Sequence, residues 1–267
     1  MINNKTKLFF SISNNPGSSG SIMHNFFFKI TGRNSIYYPL KIKNLKVFYN
    51  FAKEINLGGF SVSTPFKSKI IKYLDTKDLI VRKTFSCNTV VNKNGKFIGY
   101  NTDYYAIHDI LKEKIKNKNN KIIIIGNGSV TRTVLFALNN LKFKDFIVCS
   151  RKRKNILRSQ YLPFSKLNKY AVNTLINTSS LGMNIKKKDK INLSKKLIRK
   201  LSLIIDFPIS QNNTPFLQDI SKQNKIKYIS GKEISFYQGQ YQIKLYNNIQ
   251  NIKKYYSELS KKMQINF

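Results

Sequence analysis

The stretch Lys121 to Arg132, KIIIIGNGSVTR, constrains this chain more than any other. Four consecutive isoleucines, Ile122 to Ile125, run into Gly126-Asn127-Gly128. An unbroken run of β-branched residues suits a strand buried on both faces, as in a parallel sheet. The glycines permit a tight turn and a close approach of the backbone to a ligand. Beyond them, apolar residues at 130, 134, 135 and 138 fall on one side of a helix. Strand, glycine turn and helix together offer free N–H groups and the positive end of a helix dipole to a dinucleotide pyrophosphate. The third glycine position of G-x-G-x-x-G is Thr131, and a lone G-x-G also occurs in ordinary buried strands. Both readings stand at this point.

With 267 residues the chain has room for one large α/β domain or two ordinary ones. At 41% hydrophobic it can bury a core, which argues against global disorder despite a formal charge of +36. That charge suggests a nucleic-acid or anionic-membrane binder. The alternative is composition: 32 Asn, 4 Ala and no Trp match a bias toward A/T-rich codons, which also loads a surface with lysine. The lysines are scattered, which favours the compositional reading. Two cysteines without metal spacing suit a reducing cytosol, with neither a disulfide framework nor a zinc site. The N-terminus lacks a signal-peptide core, and no apolar run reaches membrane-spanning length. A cytoplasmic protein is the expectation.

Strands and helices alternate along the first hundred residues. Strands are expected at Lys7–Ser13, Tyr37–Leu40, Leu57–Ser63 and Cys87–Val91, the last led into by Val81–Phe85, with a hairpin turn at Asn92–Lys96 and a return at Phe97–Tyr100. Helices are expected at Ile22–Ile30, Leu45–Ile55 and Tyr104–Lys114, and Pro65 suits the first turn of another. The polar run Lys114–Lys121 is the best linker candidate. From 121 a βαβ pattern follows: strand 122–125, helix 130–140, strand 145–150, then strands Thr174–Thr178, Leu201–Asp206 and Lys225–Ile229. Thr214-Pro215 starts a helix, and Ile234–Lys262 is mostly helical. This is an α/β chain whose later half has the doubly wound, Rossmann-type pattern.

About 20 residues past the glycines, a dinucleotide fold distinguishes its nicotinamide cofactors by an acid or a base near the ribose 2′ position. Here Ser150 is followed by Arg151-Lys152-Arg153-Lys154, with no carboxylate, which reads as a 2′-phosphate site and hence NADP. A solvated basic loop is the plainer alternative. Only 12 Asp and Glu exist, so Asp103, just before a helix, is worth weighing against a simple helix cap. Lys67 follows a strand and a proline, and chemistry alone does not separate it from other surface lysines. His108 reads as a surface residue.

These residues fall in a familiar order. Ser61-Val62-Ser63-Thr64-Pro65-Phe66-Lys67, Cys87-Asn88-Thr89, Gly99-Tyr100-Asn101-Thr102-Asp103 and Gly126 to Arg132 resemble the shikimate dehydrogenases. So do Ser150-Arg151-Lys152, Ile176 to Met183, Asp206 with Thr214-Pro215, and Gly231 with Gln238-Gly239, over about residues 8 to 250. The resemblance implies a reversible, NADP-dependent oxidation of shikimate to 3-dehydroshikimate, a step of aromatic amino acid biosynthesis. It implies a substrate-binding, catalytic domain over 1–103, an NADP domain over 104–233 and C-terminal helices over 234–267 returning to the first. Lys67 and Asp103 map onto the family's catalytic pair: a lysine beside a carboxylate and partly desolvated can exchange the hydroxyl proton that must leave with hydride transfer. Ser18, Ser63, Asn88 and Gln238 map onto substrate-binding positions. Gly126, Asn127, Gly128, Ser129, Val130, Ser150, Arg151, Lys152 and Gly231 map onto cofactor-binding ones. The state implied is a monomer or homodimer without membrane or specific nucleic-acid partners.

The sequence also departs from the family. In the first loop, Gly20 stands where a second carboxylate-binding serine is usual and Ser21 where a proline is, so Ser19 or Ser21 would have to substitute. Ser61 replaces an asparagine, Ser63 a threonine, Tyr104 a glycine, Ile209 a tyrosine and Asn155 the second arginine of the phosphate clamp. The expectation is an active enzyme with weakened substrate binding. The alternatives are a quinate/shikimate dehydrogenase with relaxed substrate or cofactor choice, and a basic nucleic-acid binder without activity.

Overall fold

The computed structural model describes residues 2–152, 159–181, 192–209 and 216–265. They form two compact units, one of Met1–Ala106 with Ser235–Phe267 and the other of Ile107–Ile234. The units divide inside a helix rather than at the polar run Lys114–Lys121.

The first unit opens with β1 (Lys7–Ser13), α1 (Ser19–Ile30), β2 (Ser35–Lys41), α2 (Leu45–Glu54) and β3 (Gly59–Val62). It continues through β4 (Thr76–Lys77), α3 (Leu79–Thr84), β5 (Thr89–Lys93), β6 (Lys96–Tyr100) and the start of α4 (Thr102–Lys114). Its six described strands pair in the order β2-β1-β3-β5-β6-β4. Pairing is parallel at β2-β1-β3 and at β6-β4, and antiparallel at β3-β5-β6.

The second unit holds β7 (Ile122–Ile125), α5 (Ser129–Asn140), β8 (Phe146–Ser150), β9 (Gln160–Pro163), β10 (Thr174–Asn177), α6 (Lys195–Ile198), β11 (Leu203–Asp206), α7 (Phe216–Gln223) and β12 (Lys227–Ile229). All its described strand pairs are parallel, in the order β12-β11-β10-β7-β8-β9. This is the doubly wound order of a dinucleotide fold, with its switch point between β7 and β10. The chain ends with α8 (Gly231–Asn247) and α9 (Tyr256–Met263).

Consecutive residues of a strand point to opposite faces, so a sheet covered on both sides buries neighbours alike. In β5, Val90 packs with Ile12, Phe48, Ala52, Phe60 and Phe97 on the α2 side, while Val91 packs with Phe9, Met23, Phe27, Phe236 and Ile243. In β7 all four isoleucines are buried for the same reason. Each such side chain contributes about 1.5–3 kcal/mol relative to exposure.

Several expectations need correction. No helix starts at Pro65: Thr64 to Lys69 is turn and bend, and a short 3-10 helix follows at Ile70–Tyr73. Val81–Phe85 belongs mostly to helix α3, capped by the Asp78 carboxylate on the Val81 N–H at 2.7 Å. Helix α1 begins three residues earlier than Ile22, and Asp103 lies inside the first turn of α4, not before it. The edge strand β9 has no counterpart among the expected strands, because a four-residue stretch ending in Pro163 carries little strand signal. Thr214-Pro215, Gly182-Met183, Arg153, Lys154 and Asn155 lie outside the described residues.

Candidate functional site

The first unit brings Lys67 and Asp103 together. Lys67 sits in the turn after β3, pinned by the burial of Phe66 and Ile70 on either side. Its carbonyl accepts from the Cys87 N–H at 2.9 Å, which ties the turn to the start of β5. Asp103 projects from the first turn of α4, where the helix dipole favours an acidic residue. Lys67 Nζ lies 2.6 Å from Asp103 Oδ2, with side-chain exposures of 14% and 10%. The pair is therefore shielded yet still reachable. Asn88 Nδ2 donates to the other carboxylate oxygen, Oδ1, at 2.8 Å. Asn88 Oδ1 accepts from the Thr102 N–H at 2.7 Å, and from the Thr89 and Thr102 hydroxyls at 2.9 and 3.1 Å. Asn88, expected to bind substrate, is buried and holds Asp103 directly.

The remaining substrate-binding candidates are placed less tightly. Ser18 is exposed just before α1, and its side chain makes no cap bond. The Ser21 hydroxyl donates to the Ser18 carbonyl at 2.8 Å, so Ser21 is already engaged. Ser63 is exposed, with its N–H on the Ile12 carbonyl at 3.0 Å. Gln238 is half-buried on α8, one turn before the buried Gln242. Gln242, His24, Thr89 and Tyr37 carry no role legible in the sequence. Yet Gln242 Nε2 donates to Thr89 Oγ1 at 3.0 Å, and His24 Nε2 meets Gln242 Oε1 at 3.2 Å. Tyr37 stacks on His24 at 4.2 Å between ring centroids, and its hydroxyl lies 2.5 Å from Ser61 Oγ. The sequence marks only His24 and Thr89 among them, as polar residues beside apolar runs.

The second unit carries the glycine turn at the end of β7. Gly126 has φ +127, and a Cβ there would sit 2.5 Å from Thr178 Oγ1. A Cβ at Gly128 would meet nothing within 4 Å among the described residues, so the turn is open to them at that point. Thr131, in place of the third glycine, is buried and useful: its hydroxyl accepts from the Gly128 N–H at 3.1 Å and lies 2.8 Å from Thr178 Oγ1. Ser129 and Val130 begin α5, half-buried, behind that turn. Asn127 Nδ2 and Ser150 Oγ both donate to the Lys152 carbonyl, at 3.0 and 2.8 Å. They bring the glycine turn and the basic segment together and leave Arg151 and Lys152 exposed. Gly231 starts α8, where a Cβ would press on the Phe207 and Pro208 carbonyls at 2.5 and 2.6 Å. In this structure it serves close packing. The open glycine turn, the switch point and the exposed cations fit a dinucleotide with a 2′-phosphate.

Asp206, at the end of β11, accepts from Asn177 Nδ2 at 2.8 Å and from the Tyr228 hydroxyl at 2.9 Å. Burial raises its carboxyl from 3.8 to about 6, against the smaller opposing effect of those hydrogen bonds. Ile209, where the family has a tyrosine, is exposed.

A parallel doubly wound sheet with a glycine turn at its switch point, and a separate unit with a shielded Lys–Asp pair, define the two-unit class of dinucleotide-binding α/β proteins. The comparisons narrow the class. Residues 15–90 match the shikimate dehydrogenase substrate binding domain. A shikimate dehydrogenase (NADP(+)) of Pyrococcus furiosus is 32% identical over 90% of this chain and 89% of its own length. A shikimate dehydrogenase-like protein of Haemophilus influenzae is 29% identical over 93% of both. The solved structure of a shikimate dehydrogenase in complex with NADP+ superposes with a TM-score of 0.82 at 28% identity, over 98% of both chains. The chain belongs to the shikimate dehydrogenase family.

Proposed function

We propose that this chain is an NADP-dependent shikimate dehydrogenase acting in aromatic biosynthesis, with Lys67 and Asp103 handling the proton. The observation that carries this reading is the 2.6 Å Lys67–Asp103 contact in a shielded turn, within a chain whose relatives are named for this activity. Gly126, Gly128, Ser129 and Val130 would hold the pyrophosphate, and Arg151 and Lys152 the 2′-phosphate, with Asn127, Ser150 and Gly231 fixing the backbone around them. Bound NADP supplies the hydride acceptor or donor.

The chain's own residues supply the rest. Oxidation of a carbinol releases the hydroxyl proton as hydride leaves carbon, so a base must stand at that oxygen. Lys67 as the neutral amine takes that proton and becomes the ammonium, while Asp103, accepting hydrogen bonds at both oxygens, aims Nζ and stabilises the charge so formed. In the reverse direction an ammonium at the same place polarises the carbonyl. Ser18, Ser63 and Gln238 would bind the substrate carboxylate and ring hydroxyls. Asn88 has a second amide hydrogen for a ring hydroxyl while its first holds Asp103. Gly20 supplies no hydroxyl and Ser21 is engaged, which supports weak carboxylate binding. The test is reduction of NADP+ by the purified protein with shikimate, beside quinate and NAD+ as competing substrate and cofactor. NADP+ reduction with shikimate supports the reading; no reduction with any pair overturns it.

A further inference from the structure

We propose that Gln242 and His24 are positioning residues that set the proton order of the site, through a one-way chain of hydrogen bonds ending on Asp103. The inference rests on the dehydrogenase reading for its effect on turnover, but its geometry lies wholly within the first unit.

The direction of each bond follows from groups that have no choice. A backbone N–H can only donate and a backbone carbonyl can only accept. The Thr102 N–H points at the Asn88 side chain at 2.7 Å, so the atom facing it is Oδ1. The Asn88 amide nitrogen is thereby turned to Asp103 Oδ1. The Asn88 carbonyl lies 3.5 Å from the Gln242 amide group, so the Gln242 atom on that side is Nε2. The same nitrogen then donates to Thr89 Oγ1 at 3.0 Å, which leaves the Thr89 proton for the nearer of its two acceptors, Asn88 Oδ1 at 2.9 Å against Thr102 Oγ1 at 3.1 Å. Gln242 Oε1 remains facing His24 Nε2 at 3.2 Å, so His24 must carry its proton on Nε2.

The far end of the chain agrees. Among the described residues His24 Nδ1 is buried without a partner, a tolerable state for a bare nitrogen but a costly one for an N–H. Tyr37 and Tyr246 pack against the ring, and neither brings a carboxylate to it. Burial holds the imidazole well below its ordinary value, near 4, against the raising effect of the Gln242 bond. His24 is therefore a fixed neutral donor, and protons point in order from His24 through Gln242, Thr89 and Asn88 to Asp103. Asp103 thus receives a donor at each oxygen, Asn88 Nδ2 on Oδ1 and Lys67 Nζ on Oδ2. Had Gln242 been turned over, its oxygen would face the Asn88 carbonyl and draw the Thr89 proton away from Asn88.

The experiment combines ¹⁵N NMR of the His24 ring with kinetics of Gln242→Met, Thr89→Val and Thr89→Ser. In the wild-type chain at neutral pH the expected spectrum is that of the neutral imidazole protonated at Nε2. An Nδ1–H tautomer or a charged ring overturns the proposal, whether or not the protein turns over shikimate. In the kinetics, Gln242→Met and Thr89→Val should lower kcat about ten- to hundredfold, the upper end being the cost of a misplacement of about 1 Å. The KM for NADP+ should stay within about twofold, and Thr89→Ser should restore most of the rate because it keeps the hydroxyl. Equal loss in the serine and valine variants, or an unchanged kcat in Gln242→Met, overturns it. A wild-type protein without dehydrogenase activity overturns the functional reading instead, and the ring spectrum still decides the proton order.

Discussion

Lys67 and Asp103 stand 36 positions apart in the chain, and the Lys67 Nζ nevertheless reaches Asp103 Oδ2 at 2.6 Å. Two local anchors make that possible. The Lys67 carbonyl is tied to Cys87, and the Asn88 side chain next to it is bonded both to the start of α4 and to the carboxylate. One short segment, Cys87 to Thr89, thus sets the positions of both partners.

Replacing Gly126 should damage the second unit. At φ +127 an alanine is strained, and its Cβ would meet Thr178 Oγ1 at 2.5 Å. Gly126→Ala is expected to lose about 1–3 kcal/mol of stability and to weaken NADP(H) binding. Denaturant unfolding and cofactor fluorescence titration check it; wild-type values in both would show that the turn tolerates a side chain.

Restoring a hydroxyl at Gly20 should improve substrate binding. A Cβ there lies 3.3 Å from the Tyr37 ring, which the His24 stack and the Ser61 hydroxyl hold, so the substitution requires that ring to give by a few tenths of an ångström. One hydrogen bond to a charged group is worth about 1.5–3 kcal/mol, so Gly20→Ser is expected to lower the shikimate KM by about tenfold or more. Steady-state kinetics at saturating NADP+ reads this directly. An unchanged KM would mean that position 20 lies away from the carboxylate.

Asp206 should make stability pH-dependent. Its folded value of about 6 lies above the ordinary 3.8, so the protonated acid favours the fold. That contribution is complete below about pH 4 and is lost as pH rises through about 6. Asp206→Asn keeps a neutral group between Asn177 and Tyr228. It is expected to be more stable than wild type at pH 8, by at most about 3 kcal/mol, and equal to it near pH 4. Melting temperatures of both proteins across that range decide it; a gap that widens toward acid would reverse the assignment.

The sequence announced what depended on local pattern. Ile122 to Ile125 had to be a strand covered on both faces, and the glycines had to turn the chain, so β7 and α5 fall within a residue of their expected bounds. The hairpin at Asn94-Gly95 was legible for the same reason. Pro65 misled, because a proline suits a helix start and a turn equally well. Lys67 and Asp103 stood out only through the order of the blocks around them, since neither has a local signature among so many lysines and caps. Gln242 and His24 were illegible as partners: their contact joins α8 to α1, and no periodicity relates them. Thr131 looked like a defect in the glycine pattern, and only the structure shows its hydroxyl bonded to Gly128 and facing Thr178.

The central claim is that Lys67, aimed by Asp103, moves the proton. The most direct measurement is shikimate turnover by Lys67→Met with NADP+ binding followed in the same preparation. The account predicts a fall in kcat of roughly a hundred- to ten-thousand-fold with NADP+ affinity unchanged. A Lys67→Met protein that oxidises shikimate at the wild-type rate would contradict it.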